Sequence, residues 1–275
     1  MMKKFSSFLV ALTLLMGLSH IAQAVEQRFI TVASTTSTAN SGLFAYLLPK
    51  FTEETGIEVR VIAVGTGQAI RIARKGDADV LFVHHRPSED KFVADGYGTK
   101  RYDVMYNDFI IVGPENDPAQ IKNCTSPMQA LLNIRQNKQV FVSRGDNSGT
   151  HKRELSIWKT TDITPDQLQG NWYRSTGSGM GAALNITAGM DGYTLSDRGT
   201  WLAFKNKRKL VILCEGGDAL LNPYGVIAVN KNRFPHIKSQ DSQIFIDWLV
   251  SDKGQKLIGS FKINGERLFT PNAQK

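Results

Sequence analysis

The chain has 275 residues, a formal net charge of +8, 41% hydrophobic residues and two cysteines. That length buries a substantial core in one or two domains, and its modest basic excess suits an anionic ligand or a membrane surface. The densest basic cluster, Lys205–Asn206–Lys207–Arg208–Lys209, has no interleaved aromatics and reads as a solvated loop, so no nucleic-acid module is expected.

The chain opens with Met1–Met2–Lys3–Lys4, an apolar run from Phe8 to Leu18 and the small-x-small pattern Ala22–Gln23–Ala24. A charged start, an apolar stretch too short to span a bilayer and a cleavage pattern make residues 1–24 a secretory signal peptide. The mature protein then starts near Val25, is exported and soluble, and keeps 31 of the 33 basic residues against 25 acidic ones, a charge of +6. Valine, not cysteine, follows the cleavage site, which argues against a lipoprotein.

A strand is predicted from Arg28 to Ala33, and the hydroxyl run Ser34–Thr35–Thr36–Ser37–Thr38 follows it. Leu43, Phe44, Leu47, Leu48 and Phe51 recur at helical spacing up to a stop at Gly56, with Pro49 counting against one straight helix. Ile57–Val64 reads as a strand, and Gly65–Thr66–Gly67–Gln68 opens a helix that Gly76 closes. Asp79–Val83 is a strand and Ser88–Ala94 a helix. This alternation predicts a parallel α/β layer, in which ligands bind beyond the carboxyl ends of the strands.

The pattern changes at the apolar strand Phe109–Pro114 and the turn-rich Glu115–Pro118. A second unit follows, with helix Ser126–Asn137, strand Gln139–Val142, helix Ser148–Lys159, the glycine-rich Thr176–Gly181 and helix Ala182–Ala188. Tyr193–Leu195, helix Asp197–Phe204 and strand Lys209–Leu213 complete it. A β-like run Asn222–Val229 and helical patterning over Ser242–Phe261 close the chain. Two lobes are expected, the first interrupted by the second: lobe one over 25–110 plus 216–275, lobe two over 111–215. Cys124 and Cys214 then flank lobe two; an exported cysteine pair invites a disulfide, and two free buried thiols are the alternative.

The turn Val142–Ser143–Arg144–Gly145–Asp146–Asn147–Ser148–Gly149–Thr150 combines a fixed guanidinium fork, the hydroxyls of Ser148 and Thr150 and two glycines at a helix start, where unpaired amides and the dipole favour an anion. Ser148 and Thr150 could equally be helix caps alone, Gly65–Thr66–Gly67 a plain turn, and Ser34–Thr38 a solvated loop. Together they suggest an oxyanion held by neutral donors and one positive charge. His84 and His85 are adjacent on a strand and point to opposite faces, so they do not bind one ion easily and read as surface or core histidines. No nucleophile elbow, zinc-protease motif or Walker loop is present, and the cysteine spacing fits no zinc site.

Ser34–Ser37, Ala63–Ala69, Ala78–Leu81, Met105–Phe109, Gly113–Pro114, Phe141–Lys152 and Tyr193–Thr200 resemble, in order along the mature chain, the periplasmic tungstate-binding proteins of ABC importers. The resemblance implies a two-lobed periplasmic binding fold (type II) with the ligand in the interlobe cleft. The protein would be a non-enzymatic periplasmic monomer that carries tungstate, or molybdate of nearly the same shape and charge, to an ABC permease in the inner membrane. No cofactor or protein-bound metal is expected; tungsten enters only as the oxyanion. The family's ligand-binding residues fall on Thr35, Thr36, Ser37, Thr66, Arg144, Ser148, Gly149 and Thr150. The first loop departs from the family pattern in opening with Ser34 where threonine is usual.

Phosphate-binding proteins share the turn Arg144-x-Asp146-x-Ser148–Gly149–Thr150. Phosphate keeps a proton near neutral pH and benefits from a carboxylate acceptor, whereas tungstate is a full dianion that a facing carboxylate repels. Asp146 therefore either accepts a phosphate proton or turns to orient Arg144. A phosphate receptor is one alternative, and an exported phosphoester hydrolase with His84 or His85 as base is another of a different class.

Overall fold

The computed structural model describes residues 27–274, and the expected signal peptide over 1–24 lies outside the described residues. β1 (Phe29–Thr35), β2 (Glu58–Val64) and β3 (Val80–Val83) alternate with helices Thr36–Asn40, Leu43–Thr55, Thr66–Lys75 and Arg86–Ala94. β4 (Gly98–Pro114) follows. β5 (Phe141–Ser143), β6 (Tyr173–Ser175), β7 (Thr194–Asp197) and β8 (Leu210–Cys214) are then set among helices Pro127–Gln136, Gly149–Trp158, Met180–Gly189 and Arg198–Ala203. β9 (Leu221–Val229), helices Ser239–Val250 and Asp252–Ser260, the hairpin β10 (Lys262–Ile263) and β11 (Glu266–Arg267), and β12 (Thr270–Pro271) end the chain.

The first sheet runs β12-β4-β9-β3-β1-β2. It is not wholly parallel as the alternation suggested: β1 pairs parallel with β2 and β3, but β9 pairs antiparallel with β3 and β4. The antiparallel members come from the returning segment and from the first half of β4, which the sequence reading passed over because Gly98–Tyr106 alternates charge and aromatics without a continuous apolar run. β4 has 17 residues and two sets of partners. It pairs with β9 from Gly98 to Asp108, then with β7 and β8 from Phe109 onward.

Burial explains these patterns. Val80 and Phe82 enter one core with Ile30, Leu43, Phe51 and Phe245, while Leu81 and Val83 enter another with Ala33, Ala69 and Phe92. A strand covered on both faces reads as an unbroken apolar run, not an alternating one. Along β4, Phe109 and Ile111 pack with Phe141, Trp158 and Tyr193, whereas Ile110 and Val112 pack with Val142, Met180 and Trp201. Each half of the molecule therefore has its own pair of cores.

Three further expectations change. The hydroxyl run is not a loop: Ser34 and Thr35 end β1, and Thr36 starts a helix. Ser242–Phe261 is not one helix, because Ser251 leaves helical geometry and caps the second helix with a hydrogen bond from Gly254 N. Pro49 does not break its helix; Leu43–Thr55 continues through it, stopped by left-handed Gly56. The missing proline N–H removes one helix hydrogen bond, and the buried Leu43, Leu47 and Phe51 outweigh that loss.

Two contacts tie the crossings together. Arg198 donates to both oxygens of Asp108 at 2.6 Å and to Glu215 at 2.6 Å, so one guanidinium grips β4 where its partners change and the segment after β8. Cys124 and Cys214 form a disulfide that closes a loop of sequence separation 90. In the chain-entropy treatment such a bond stabilises by about 4 kcal/mol. Reduction, or Cys124→Ser with Cys214→Ser, is expected to lower the urea unfolding free energy by about that amount. Equal unfolding curves with and without reductant would contradict the assignment, as would two reactive thiols in the unfolded, unreduced protein.

Candidate functional site

Parallel pairing of β2, β1 and β3 brings three carboxyl ends to one edge of the sheet. At the end of β1, the Ser34 hydroxyl donates to Phe82 O at 2.6 Å and so ties two strands together rather than facing a ligand. Thr35 caps the next helix: its Oγ1 accepts from Thr38 N at 3.2 Å and lies 2.6 Å from Thr38 Oγ1 and 3.1 Å from Ser37 Oγ. At the end of β2, extended Gly65 leads into buried Thr66, the first residue of its helix. His84 stands at the end of β3, also buried.

His84 is held from both sides. Its Nε2 lies 3.2 Å from Thr35 Oγ1 and 3.2 Å from Ser37 Oγ, and its Nδ1 lies 3.0 Å from Asn222 Oδ1. Asn222 in turn donates through Nδ2 to Asn107 Oδ1 at 2.7 Å, and these two residues face each other across the β4–β9 ladder. The imidazole packs on the Tyr224 ring at 4.8 Å between centroids. Burial pushes the His84 pKa down to about 4; the Asp197 charge and the Asn222 hydrogen bond oppose this, and Arg144 adds to it. The ring is neutral at physiological pH.

The second half of the site is the turn after β5. Gly145 and Asn147 have φ of 62° and 57°, left-handed values that reverse the chain within a few residues. A Cβ on Gly145 would meet Ser175 Oγ at 1.9 Å, so this turn accepts no side chain there. The loop at 176–178 supports it from behind, with Ser178 N donating to Arg144 O at 3.1 Å and Thr176 Oγ1 donating to Ser143 O. Ser148 caps the helix by accepting from His151 N at 3.2 Å, and Gly149 and Thr150 form its buried first turn. Asp146 accepts from Arg144 Nη2 and, at 3.2 Å, from Ser148 N. Burial raises its pKa, but the bonds from Ser148 and the Arg144 charge outweigh this and hold it below the usual carboxylate range. Both of its oxygens are thus engaged within the turn, an arrangement that orients Arg144. Arg144 Nε is buried with no hydrogen-bond partner among the described residues.

The two halves meet. A Cβ built on Gly149 would lie 2.7 Å from His84 Cε1 and 3.4 Å from Thr66 Oγ1. Thr35, Ser37 and Gly149 therefore lie against His84, with Thr66 beside Gly149 and with Ser148, Thr150 and Arg144 in the adjoining turn. Thr36 differs: it is exposed at the first position of its helix. Around this cluster the charges are basic. His85 is pushed down to about 4 by burial, then by Lys152 from the opposite half, then by His84 and Arg153; burial and Arg71 likewise lower Lys152. The buried carboxylate of Asp197 faces its own helix, accepting from Thr200 N and Thr200 Oγ1. No group of three His, Cys, Asp or Glu residues among the described residues is placed to hold a metal ion.

The sequence reads His84 as a surface or core histidine, or in the hydrolase alternative as a base, and gives Asn107, Asn222 and Tyr224 no role at a site. His84 is buried, and its neighbours draw it into the candidate site. The signal available was two amides, Asn107 and Asn222, next to otherwise apolar strands, since a buried amide needs partners.

A family model of the PBP superfamily domain matches residues 21–253. The tungstate-binding protein TupA of Peptoclostridium acidaminophilum is 48% identical over 90% of this chain and 86% of its own length. TupA of Campylobacter jejuni is 38% identical over 86% of this chain and 89% of its own. A solved TupA tungstate-binding protein from Desulfovibrio alaskensis superposes with a TM-score of 0.83, at 44% identity over 90% of this chain and all of that one. The chain belongs to the TupA family of the PBP superfamily. The two-lobed binding-protein fold expected from the sequence is thus the fold of the family. A further TupA-like structure, described as the tungstate ABC transporter of Geobacter sulfurreducens, is 48% identical over 85% of this chain and 98% of its own, with a TM-score of 0.76.

One buried carboxyl sets the footing of the turn. Glu154 accepts from Ser143 Oγ at 2.7 Å and from Tyr173 OH at 2.5 Å, and burial raises its pKa to about 7. A folded pKa above the unfolded 4.5 means that protonated Glu154 stabilises the fold below that pH, and that this contribution is lost as pH rises through about 7. Glu154→Gln keeps the group uncharged. Urea unfolding across this range is expected to show a loss of stability with pH smaller by up to about 3 kcal/mol in the variant; parallel curves for variant and parent would remove Glu154 as its source.

Proposed function

We propose that this protein captures tungstate between its two lobes and delivers it to an ABC importer of the inner membrane. The carrying observation is Arg144 Nε, a buried charged donor with no partner among the described residues, beside the helix start Ser148–Thr150. An unpaired buried donor is costly, and an oxyanion set against it removes that cost. The ligand contacts are assigned to Arg144, Ser148, Gly149 and Thr150 from lobe two, and to Thr35, Ser37 and Thr66 from lobe one. Thr36 contributes its backbone end of the helix rather than its exposed side chain. Charge-assisted hydrogen bonds at about 1.5–3 kcal/mol each reach the roughly 8 kcal/mol of micromolar binding with only a few such contacts.

The donor set favours a fully deprotonated anion. The nearby carboxylates, Asp146 and Asp197, are both committed to hydrogen bonds within their own turns. A phosphate that keeps its proton lacks a free carboxylate to receive it, which supports tungstate or molybdate over phosphate. The lobes are assigned as 25–110 plus 216–275 and 111–215, supported by the change of β4 partners after Asp108 and by the return into β9. The leader expected over 1–24 and the membership of the TupA family support a periplasmic carrier.

Ser37, His84 and Asn222 also make a hydroxyl–imidazole–amide relay, the geometry of a nucleophile with its base. The orienting group is a neutral amide, and burial keeps the imidazole a weak base, so the arrangement favours holding an anion over hydrolysing an ester. No turnover of a generic phosphoester is expected; turnover lost on replacing Ser37 or His84 would favour the enzyme.

Calorimetric titration with tungstate, molybdate, sulfate and phosphate tests the ligand. Arg144→Ala is expected to weaken tungstate binding at least about 100-fold while the melting temperature barely moves; unchanged affinity would refute the assignment. Gly149→Ala places a methyl against His84, so scattering on adding tungstate is expected to show less contraction than in the parent protein. Equal contraction and equal affinity would place the ligand elsewhere.

A further inference from the structure

Asn222 fixes the state of the His84 ring. Its Nδ2 donates to Asn107, which leaves its oxygen facing His84 Nδ1 at 3.0 Å. An oxygen at that position requires the hydrogen on Nδ1. In a neutral ring Nε2 then has only a lone pair, and it accepts a hydrogen from Thr35 Oγ1 or Ser37 Oγ, each 3.2 Å away. That hydroxyl hydrogen is turned away from the cleft, where an oxyanion needs it. We propose that His84 takes up one proton from solvent as the oxyanion is captured, reversing the bond at Nε2 and freeing that hydroxyl hydrogen for the ligand. The inference rests on the anion-binding reading above and makes His84 a positioning residue of that site.

The charges facing the ring permit the change. Asp197, at the head of its helix, favours the imidazolium, and Arg144, across the cleft, opposes it. His85 adjoins it on the chain, Tyr224 and Asn222 lie against it from β9, and Thr35, Ser37, Thr66 and Gly149 are neutral neighbours. Without ligand, burial dominates and the ring is neutral. A dianion against Arg144 cancels that opposition and leaves a net negative charge beside the ring. Linkage then requires affinity to rise as pH falls, by up to about tenfold per pH unit between the pKa of the liganded ring and that of the unliganded ring.

The mature protein is titrated with micromolar tungstate at about pH 6 in two buffers of unequal ionisation enthalpy, which counts the protons taken up. A His84-dependent uptake approaching one proton is expected in the parent and lost in His84→Gln, with a flatter dependence of affinity on pH. A proton taken up by tungstate itself persists in the variant, so the difference belongs to His84. Binding with equal uptake in both proteins overturns this inference alone; failure to bind any oxyanion overturns the anion-binding reading and this inference with it. If His84→Gln does not fold, imidazole resonances of the parent decide: protonation of the ring on adding tungstate supports the inference, and a ring that stays neutral with tungstate bound overturns it.

Discussion

β4 is shared by both halves of the molecule, and the cleft lies where its partners change. Up to Asp108 the strand is part of the sheet that carries Thr35, Thr66 and His84 on its carboxyl edge; from Phe109 it pairs with β7 and β8, in the half that also holds β5 and the Arg144 turn. A strand that runs unbroken between the halves fixes their distance and leaves mainly rotation free. Arg198 sits at that junction, holding Asp108 on one crossing and Glu215 on the other. The disulfide ends at Cys214, next to Glu215, so the second crossing is tethered to lobe two just before it leaves it. In the proposed capture, closure would be a rotation of the two halves about this junction, letting a few donors from each side meet one small ion.

The chemistry at the cleft is that of neutral donors around a single charge. A cluster of lysines would attract an anion more strongly at long range, but each buried ammonium would carry its own desolvation cost in the free protein. Here the basic groups Arg71, Lys152 and Arg153 stay at the rim, where they steer an anion, and only Arg144 is drawn into the site, held by Asp146. Hydroxyls and helix amides supply the rest. They can be buried without charge, because they satisfy one another: Thr35 with Thr38, Ser148 with His151, Thr176 with the turn it supports.

The parts of this arrangement visible in the sequence are those with local signatures. The turn Ser143–Thr150 declares itself because glycine, arginine and hydroxyl residues stand together between a strand and a helix. Thr66 is picked out the same way, and the break in pattern near Phe109 falls where β4 changes partners. The sequence is silent where the cause is non-local. Gly98–Tyr106 is a strand because β9 returns to pair with it from more than a hundred residues away. His84 joins the site because Asn222, Thr35 and Gly149, from three distant segments, converge on it. Thr36 stands in the same run of hydroxyls, but the first turn of its helix leaves it exposed while Thr35 and Thr38 are buried.

Charge balance gives the cleft its last constraint. Helices Thr66–Lys75 and Gly149–Trp158 both start at the site and contribute about half a positive charge each through their free amides. Arg144 adds one, but Asp146 lies against it and offsets much of that charge over any distance longer than the pair itself. The site therefore presents roughly one positive charge to a ligand carrying two negative ones. Among the groups in contact with the cluster, Asp197 has the wrong sign and the hydroxyls have no charge to give. His84 is the group whose charge can change within the range of ordinary pH, and it stands directly beneath the donors that face the ion. A permanent cation in its place would have to be desolvated in the empty protein. A histidine that charges only when the anion arrives confines that charge to the complex, where its partner is already present.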